Sequence, residues 1–269
     1  MLDKTVDARD FALLENDRYT FAVLDRVLRG ECRLILTDHE RLIVCHSADP
    51  YPVWIWTPDG LSTEEKARAW DIVREYCPVT AYSINLKYEL AEYFAERAKE
   101  EGINAGITLN MYAYDCPAPK APDVVPDGGV YKCGPEDMDE AADIFRMFNG
   151  ELGLYQGDPD ICVRMAKDMI DGGRLYLWKT SDGRTAASCG CNITGDGLGS
   201  INAVYTFPEM RRKHYAENLV YAVTNIVAEA GAMPMLYTNA DYIASNACYE
   251  KIGYVLRGKL CTFGMKAEG

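Results

Sequence analysis

Arg211, Arg212 and Lys213 stand side by side, directly ahead of a segment with helical periodicity. Adjacent cations in that position can hold an anion. Before them, Asn202 to Phe207 is rich in β-branched and aromatic residues and reads as a strand. Pro208 cannot donate to a sheet ladder, so the strand ends there. From Tyr215 the apolar positions 216, 219, 220, 223, 226 and 227 recur at helical spacing, and Gly231 stops the run. A strand, a cationic loop and a helix N-terminus together make an anion site, through free N–H groups and the positive dipole end. Without an anion the three cations oppose that dipole, and such local conflicts mark sites. A solvated basic corner is the plainer reading; a pyrophosphate is the occupant that suits the conflict.

Arg211-Arg212-Lys213-His214-Tyr215-Ala216 resembles the Arg/Gln-x-x-Gly-x-Gly/Ala loop of the GNAT superfamily of N-acetyltransferases. Farther on, Tyr249-Glu250-Lys251-Ile252-Gly253-Tyr254 resembles the second signature of that superfamily, Tyr-Glu-Lys-x-Gly-Tyr/Phe. The two occur in the right order, separated by a helix and a strand. The resemblance covers about residues 130 to 269. It departs at His214, where the family has Gly, and at Tyr242, where many members have Asn.

The resemblance implies an α/β fold of the mixed α+β kind: a mostly antiparallel central sheet flanked by helices. It implies acetyl-CoA as cosubstrate and no metal. Val204, Tyr205 and Thr206 would pair with the pantetheine arm like an extra strand, and the N–H of Val204 or Tyr205 would face the thioester carbonyl. Arg211, Arg212, Lys213, His214, Tyr215 and Ala216 would cradle the pyrophosphate. Asn246 would contact the pantetheine arm, and Tyr249 would be the acid for the departing thiolate. Residues 201–206 are also a core strand, and a tyrosine on an amphipathic helix is also plain packing. His214 either obstructs the phosphate or donates to it. No general base stands out; Glu209, Asp241 and a water chain are alternatives.

The implied activity is transfer of an acetyl group to a primary amine of a small molecule, by direct attack in a ternary complex. A non-catalytic acyl-CoA-binding sensor or assembly module, or a protein N-acetyltransferase, is the alternative.

The rest of the chain must position these residues. Residues 3 to about 30 have helical spacing up to Gly30. Residues 32–36, 41–45 and 53–56 read as strands. Ser62-Thr63-Glu64-Glu65 is a capped helix start with an acidic first turn, and that helix runs to about Cys77. A strand at 80–85, a helix at 87–101 and a strand at 105–112 follow. Residues 116–129 hold four prolines and two glycines, the composition of a semi-rigid linker. Beyond it the spacing predicts a strand at 130–133, helices from Pro135 and at about 159–171, and strands at 175–179, 185–193 and 200–207. The helix from Tyr215, a strand at 235–238, a helix at 244–252 and a strand at 254–263 complete the chain. The expected organisation is therefore an N-terminal α/β domain over 1–115, a linker over 116–129 and an acetyltransferase-like domain over 130–269. The N-terminal half alternates in a similar order and could be a diverged copy, although it carries neither signature.

A net charge of −13 argues against general nucleic-acid binding, whose affinity comes mostly from phosphate contacts, and against anionic membrane surfaces. It is compatible with a cationic amine substrate, through steering. Ten cysteines without an export signal read as reduced thiols of a cytoplasmic protein. Cys189-Gly190-Cys191 lacks the partners of a zinc knuckle. The sequence leaves room for a homodimer.

Overall fold

The computed structural model describes residues 2–153, 160–195 and 197–267. The chain forms two compact units that do not follow a single cut. One comprises Met1–Tyr114, Tyr237–Ile243 and Leu256–Gly269; the other comprises Asp115–Leu236 and Ala244–Val255.

The first unit begins with α1 (Ala8–Leu14) and α2 (Ala22–Leu28). The helix expected over 3–30 is thus broken. Asp7 and Asp10 form a capping box that starts α1 only at Ala8. A short 3-10 turn at Glu15–Asp17 follows, where Asp17 accepts a hydrogen bond from Trp56 Nε1 at 2.9 Å instead of continuing the helix. Then come β1 (Leu34–Thr37), β2 (Ile43–His46), β3 (Val53–Trp56), α3 (Thr63–Tyr76), β4 (Ile84–Leu86), α4 (Tyr88–Glu100) and β5 (Ala105–Asp115). The expected cap is present: Ser62 accepts from Glu65 N, and Glu65 accepts from Ser62 N.

Strand β11 (Val255–Met265) also belongs to this unit, apart from its first residue. It pairs antiparallel with β4 in the register Cys261↔Leu86, Thr262↔Asn85 and Phe263↔Ile84. Cys261 and Phe263 are fully buried in the cluster of Leu86, Phe94 and Trp70, with the Phe94 and Phe263 rings 5.9 Å apart. Removing these apolar side chains from water holds the C-terminal strand here. The strand order is β1-β2-β3-β4-β11-β5, and only the β3/β4 pair joins in parallel among the registers described.

The second unit contains β6 (Gly129–Lys132), α5 (Met138–Leu152), α6 (Ile161–Asp171), β7 (Leu175–Lys179), β8 (Thr185–Ile193), β9 (Leu198–Thr206), α7 (Tyr215–Glu229), β10 (Met233–Asn239) as far as Leu236 and α8 (Ile243–Ile252) from Ala244. Residue 159, where the second helix was expected to start, lies outside the described residues. The strand order is β6-β7-β8-β9-β10. Neighbours up to β9 are antiparallel, and β10 joins β9 in parallel. A Cβ at Gly199 would lie 2.1 Å from Val227 Cγ1, so the glycine lets α7 pack closely on β9. The proline-rich segment is strapped to this unit. Lys120 N donates to Ile252 O, Asn218 Nδ2 to Val124 O, and Trp178 Nε1 to Asp127 O, each at 2.7–2.8 Å.

Both units therefore run through paired helices, three strands, a helix, a strand and a helix, with one parallel pair at the same point. That is the mixed, mostly antiparallel architecture with helical flanks expected from the sequence.

Candidate active site

Strand β9 carries the first part of the site. Ser188 faces Tyr205 across the β8/β9 ladder, and Gly190 faces Asn202, so β9 spends one residue more than β8 in that interval. The extra residue makes a β-bulge, and Ala203 sits in it with φ 46°, a left-handed conformation unusual for a residue with a Cβ. Ser188 Oγ donates to Ala203 O at 3.0 Å and pins the bulge. On the other side, β9 pairs with β10 only through Leu198↔Met233, Gly199↔Pro234 and Ser200↔Met235. Among the described residues that ladder goes no further. Ile201 to Thr206 thus run on without β10 as a partner, and the two strands part just before the bulge. Val204 and Thr206 are half-buried on this stretch. The Tyr205 ring is buried against Phe207, 5.5 Å away, and belongs to the core under α5 and α6. Only the backbone of Tyr205 is available to a ligand.

The loop after β9 carries the second part. Arg211, Arg212, Lys213 and His214 are exposed. Arg212 and His214 both have left-handed backbones, with φ 61° and 66°. This explains why a glycine suits the position of His214: a side chain there costs backbone strain. His214 is the N-cap of α7 but makes no side-chain cap bond. Its Nδ1 instead lies 2.8 Å from Glu217 Oε2, which directs the ring at a carboxylate in the first helical turn. Tyr215 is buried 6.4 Å from Trp178, and Ala216 is half-buried behind it.

The three cations do not share one role. Arg211 donates through Nε to Thr206 O at 3.0 Å and through Nη2 to Glu151 Oε1 at 2.5 Å. Its guanidinium lies 5.9 Å from the Tyr205 ring. The Glu151 carboxylate raises its pKa, so the charge is fixed and already paired. Arg211 therefore fastens the end of α5 to the end of β9. Arg212 and Lys213 have no partner among the described residues and stand exposed at the start of α7, where they could meet an anion.

Helix α8 carries the third part. Asn246 and Tyr249 lie one turn apart and both are buried, Tyr249 with 8% of its surface exposed. The Tyr249 ring packs edge-on against Tyr254 at 5.9 Å, and Tyr254 is hydrogen-bonded to Thr224 Oγ1 at 2.7 Å. Burial pushes the Tyr249 hydroxyl well above the usual tyrosine pKa, so it stays protonated. Among the described residues its hydroxyl has no hydrogen-bond partner. A protonated, unengaged hydroxyl can donate a proton. The helix ends at Gly253, with φ 104°, where an added Cβ would meet Ala118 O at 2.5 Å. That close approach accounts for the glycine in the second signature.

Sequence reasoning missed Glu151, Glu217 and Ser188. Glu217 could have been found, because it stands three residues after a left-handed cap. Glu151 and Ser188 reach the site only through tertiary packing. Also missed is a carboxylate–histidine cluster in the first unit, where Asp7, Asp10 and His39 place ligand-type atoms within 4.8 Å of one another. Its groups are engaged with one another and with Asp3: the two His39 ring nitrogens lie 2.8 Å from Asp10 and Asp3.

The equivalent helix start in the first unit is different. Gly60 N donates to Glu89 Oε2 at 3.0 Å and Ser62 N to Glu65 Oε2 at 2.7 Å. Carboxylates of the chain itself hold the donors that a phosphate would need.

The chain has the GNAT acetyltransferase fold. Residues 180–262, which run from β8 into β11 and include both signatures, match the FR47-like protein family. An acetyltransferase from the GNAT family of Colwellia psychrerythraea superposes with a TM-score of 0.59 at 11% identity, covering 99% of this chain and 100% of its own. A GCN5-related N-acetyltransferase from Kribbella flavida gives 0.63 at 18% identity, with 94% and 96% covered. Another from Sphaerobacter thermophilus gives 0.64 at 11% identity, with 97% and 94% covered. These similarities extend the likeness from the C-terminal half to nearly the whole chain. No curated protein matches the sequence. No helix among the described residues is long and apolar enough to cross a membrane.

Proposed function

We propose that the chain is an acetyl-CoA-dependent N-acetyltransferase acting on a primary amine of a small molecule. The observation that carries this reading is the parting of β9 from β10 just before a pinned bulge, ahead of a helix N-terminus whose Arg212 and Lys213 have no partner among the described residues. An exposed strand edge accepts an extended chain by adding backbone hydrogen bonds. The pantetheine arm has the amide groups to make them, and the pyrophosphate suits the start of α7. Arg212 and Lys213 supply charge there, while the N–H groups of His214, Tyr215 and Ala216 lie at the open helix end. Arg211 serves as a strut rather than a ligand. The backbone N–H of Val204 or Tyr205, beside the bulge, orients the acyl carbonyl. Asn246 lies along the arm.

Acetyl-CoA supplies an acyl group activated as a thioester. The Tyr249 hydroxyl holds a proton beside α8 and gives it to the leaving sulfur. The acceptor amine attacks without an acyl-enzyme, so no cysteine is needed as nucleophile; Cys248, next to Tyr249, has its thiol pushed up to about 12 by burial and is a poor one.

Calorimetry with acetyl-CoA and thiol release across an amine panel test the proposal. Binding with amine-dependent thiol release is expected. Binding without release from any small amine or peptide amine would favour a non-catalytic acyl-CoA sensor; release with peptide amines alone would favour a protein N-acetyltransferase. Arg212→Gln with Lys213→Gln should weaken binding about tenfold and flatten its salt dependence, since each exposed ion contact contributes at most about 1 kcal/mol.

A further inference from the structure

The first unit contains a pair of thiols outside the candidate site. Cys45 lies within β2 and is fully buried; Cys32 precedes β1 and is half-buried. Their Sγ atoms are 3.4 Å apart, with the Cys45 thiol donating to Cys32. The Cys32 thiol in turn donates to Val27 O at 3.2 Å, across the short link between α2 and β1. Among the described residues no other two cysteine sulfurs share a hydrogen bond. A disulfide measures about 2.05 Å, so bonding requires an approach of about 1.4 Å. Cys32 can supply that movement because it lies in the link, not in the strand ladder. Its neighbour Arg33 is anchored to the far strand, with Arg33 N donating to His46 O at 2.9 Å. The link is thereby held over Cys45.

We propose that Cys32 and Cys45 are a redox pair that closes to a reversible intramolecular disulfide, with Cys32 reacting first and Cys45 resolving. The oxidant is a low-molecular-weight disulfide of the glutathione class. The Cys32 thiolate attacks one of its sulfurs, forming a mixed disulfide and expelling one small thiolate. The Cys45 thiol then loses its proton to water, attacks Cys32 Sγ, and expels the second small thiolate. Two protein thiols lose two protons and two electrons, and one small disulfide is reduced to two thiols. The division of labour follows from position: oxidant can reach the half-buried sulfur, and only the buried sulfur lies within reach of the adduct. Burial, reinforced by the hydrogen bond to Cys32, raises the Cys45 pKa.

The test treats the full chain with oxidised glutathione, quenches in acid, unfolds it, alkylates the remaining thiols with N-ethylmaleimide and maps the peptides by mass. The expected result is a cross-linked peptide joining 32 and 45, both unalkylated, that dithiothreitol releases. In Cys45→Ala the reaction should stop at a glutathione adduct on Cys32, and in Cys32→Ser neither position should react. The oxidised protein should melt at a higher temperature than the reduced one, and dithiothreitol should reverse the shift. Full alkylation of both residues after oxidant, or a glutathione adduct that persists on Cys32 of the unaltered protein, overturns the proposal.

Discussion

His39 Nδ1 lies 2.8 Å from the carboxylate of Asp10, a fully buried residue of α1. The other ring nitrogen, Nε2, is 2.8 Å from Asp3 Oδ2. Both nitrogens can donate only when the ring is protonated. Asp3, the strongest influence, and then Asp10 raise the His39 pKa above its ordinary value near 6.5, while Arg9 opposes them. Asp7, 3.9 Å from Nδ1 and held down to about 2 chiefly by its bond to Arg9, adds negative charge on the same side. Thr37 Oγ1 donates to Asp10 at 2.5 Å, so the cluster ties the N-terminal segment and α1 to β1. The folded-state pKa is raised, so the contribution to stability is complete below about pH 6.5 and is lost as the pH rises through the folded value. Melting temperatures from pH 5.5 to 8.5 should fall through that upper window in the unaltered protein, and the fall should be absent in His39→Gln. Parallel curves for the two proteins would refute the linkage.

Tyr249→Phe removes one hydroxyl and keeps the ring packed on Tyr254. If that hydroxyl delivers the proton to the leaving thiolate, kcat should fall by roughly 10²–10⁴ with acetyl-CoA affinity unchanged. The loss should shrink with an acyl thioester of a more acidic thiol, because that thiolate departs unaided. Steady-state rates with both donors, beside calorimetric affinities, check this. Full turnover by the Phe variant would make Tyr249 a packing residue.

His214 occupies a left-handed backbone at the start of α7 with its ring bonded to Glu217. Glycine there relieves roughly 1–2 kcal/mol of strain but loses an exposed ion pair and gains unfolded-state freedom, so His214→Gly should change stability by less than about 1 kcal/mol. His214→Val places a β-branched side chain at the same φ and should be less stable than the Gly variant by about 2 kcal/mol. Urea denaturation orders the three proteins. Because the ring is engaged with Glu217, acetyl-CoA affinity of the Gly variant should stay within about threefold of the unaltered protein.

Gly253→Ala tests the α8 terminus. The added methyl group would meet a backbone oxygen of residue 118 at 2.5 Å on a backbone with φ 104°. Neither partner is the flexible tip of a side chain, so the chain itself must shift. A loss of at least about 2 kcal/mol is expected in denaturant titrations. An equal stability would mean that residues 116–120 are free to move off the helix end.

Local chemistry made much of this protein legible in its sequence. The strand ending at Pro208, the amphipathic α7, the Ser62 cap and the Gly253 stop each depend on residues within a few positions, so spacing and residue type suffice to place them. The cationic loop was marked as a candidate anion site by the same means. Position alone could not divide the work among its cations. Arg211 is committed because Glu151, 60 residues away in the chain, meets it in the folded state, whereas Arg212 and Lys213 meet no partner among the described residues. The bulge at Ala203 arises from the register between β8 and β9, and the gap beside it from the point where β10 diverges. The assignment of β11 to the first unit was equally hidden. Residues 255–265 have the same alternation wherever they pair, and the apolar surface of β4 and α4 decides where they are buried. Residue types determined most of the elements that form and where the candidate chemistry lies along the chain; long-range burial and strand register decided which of those residues stand together.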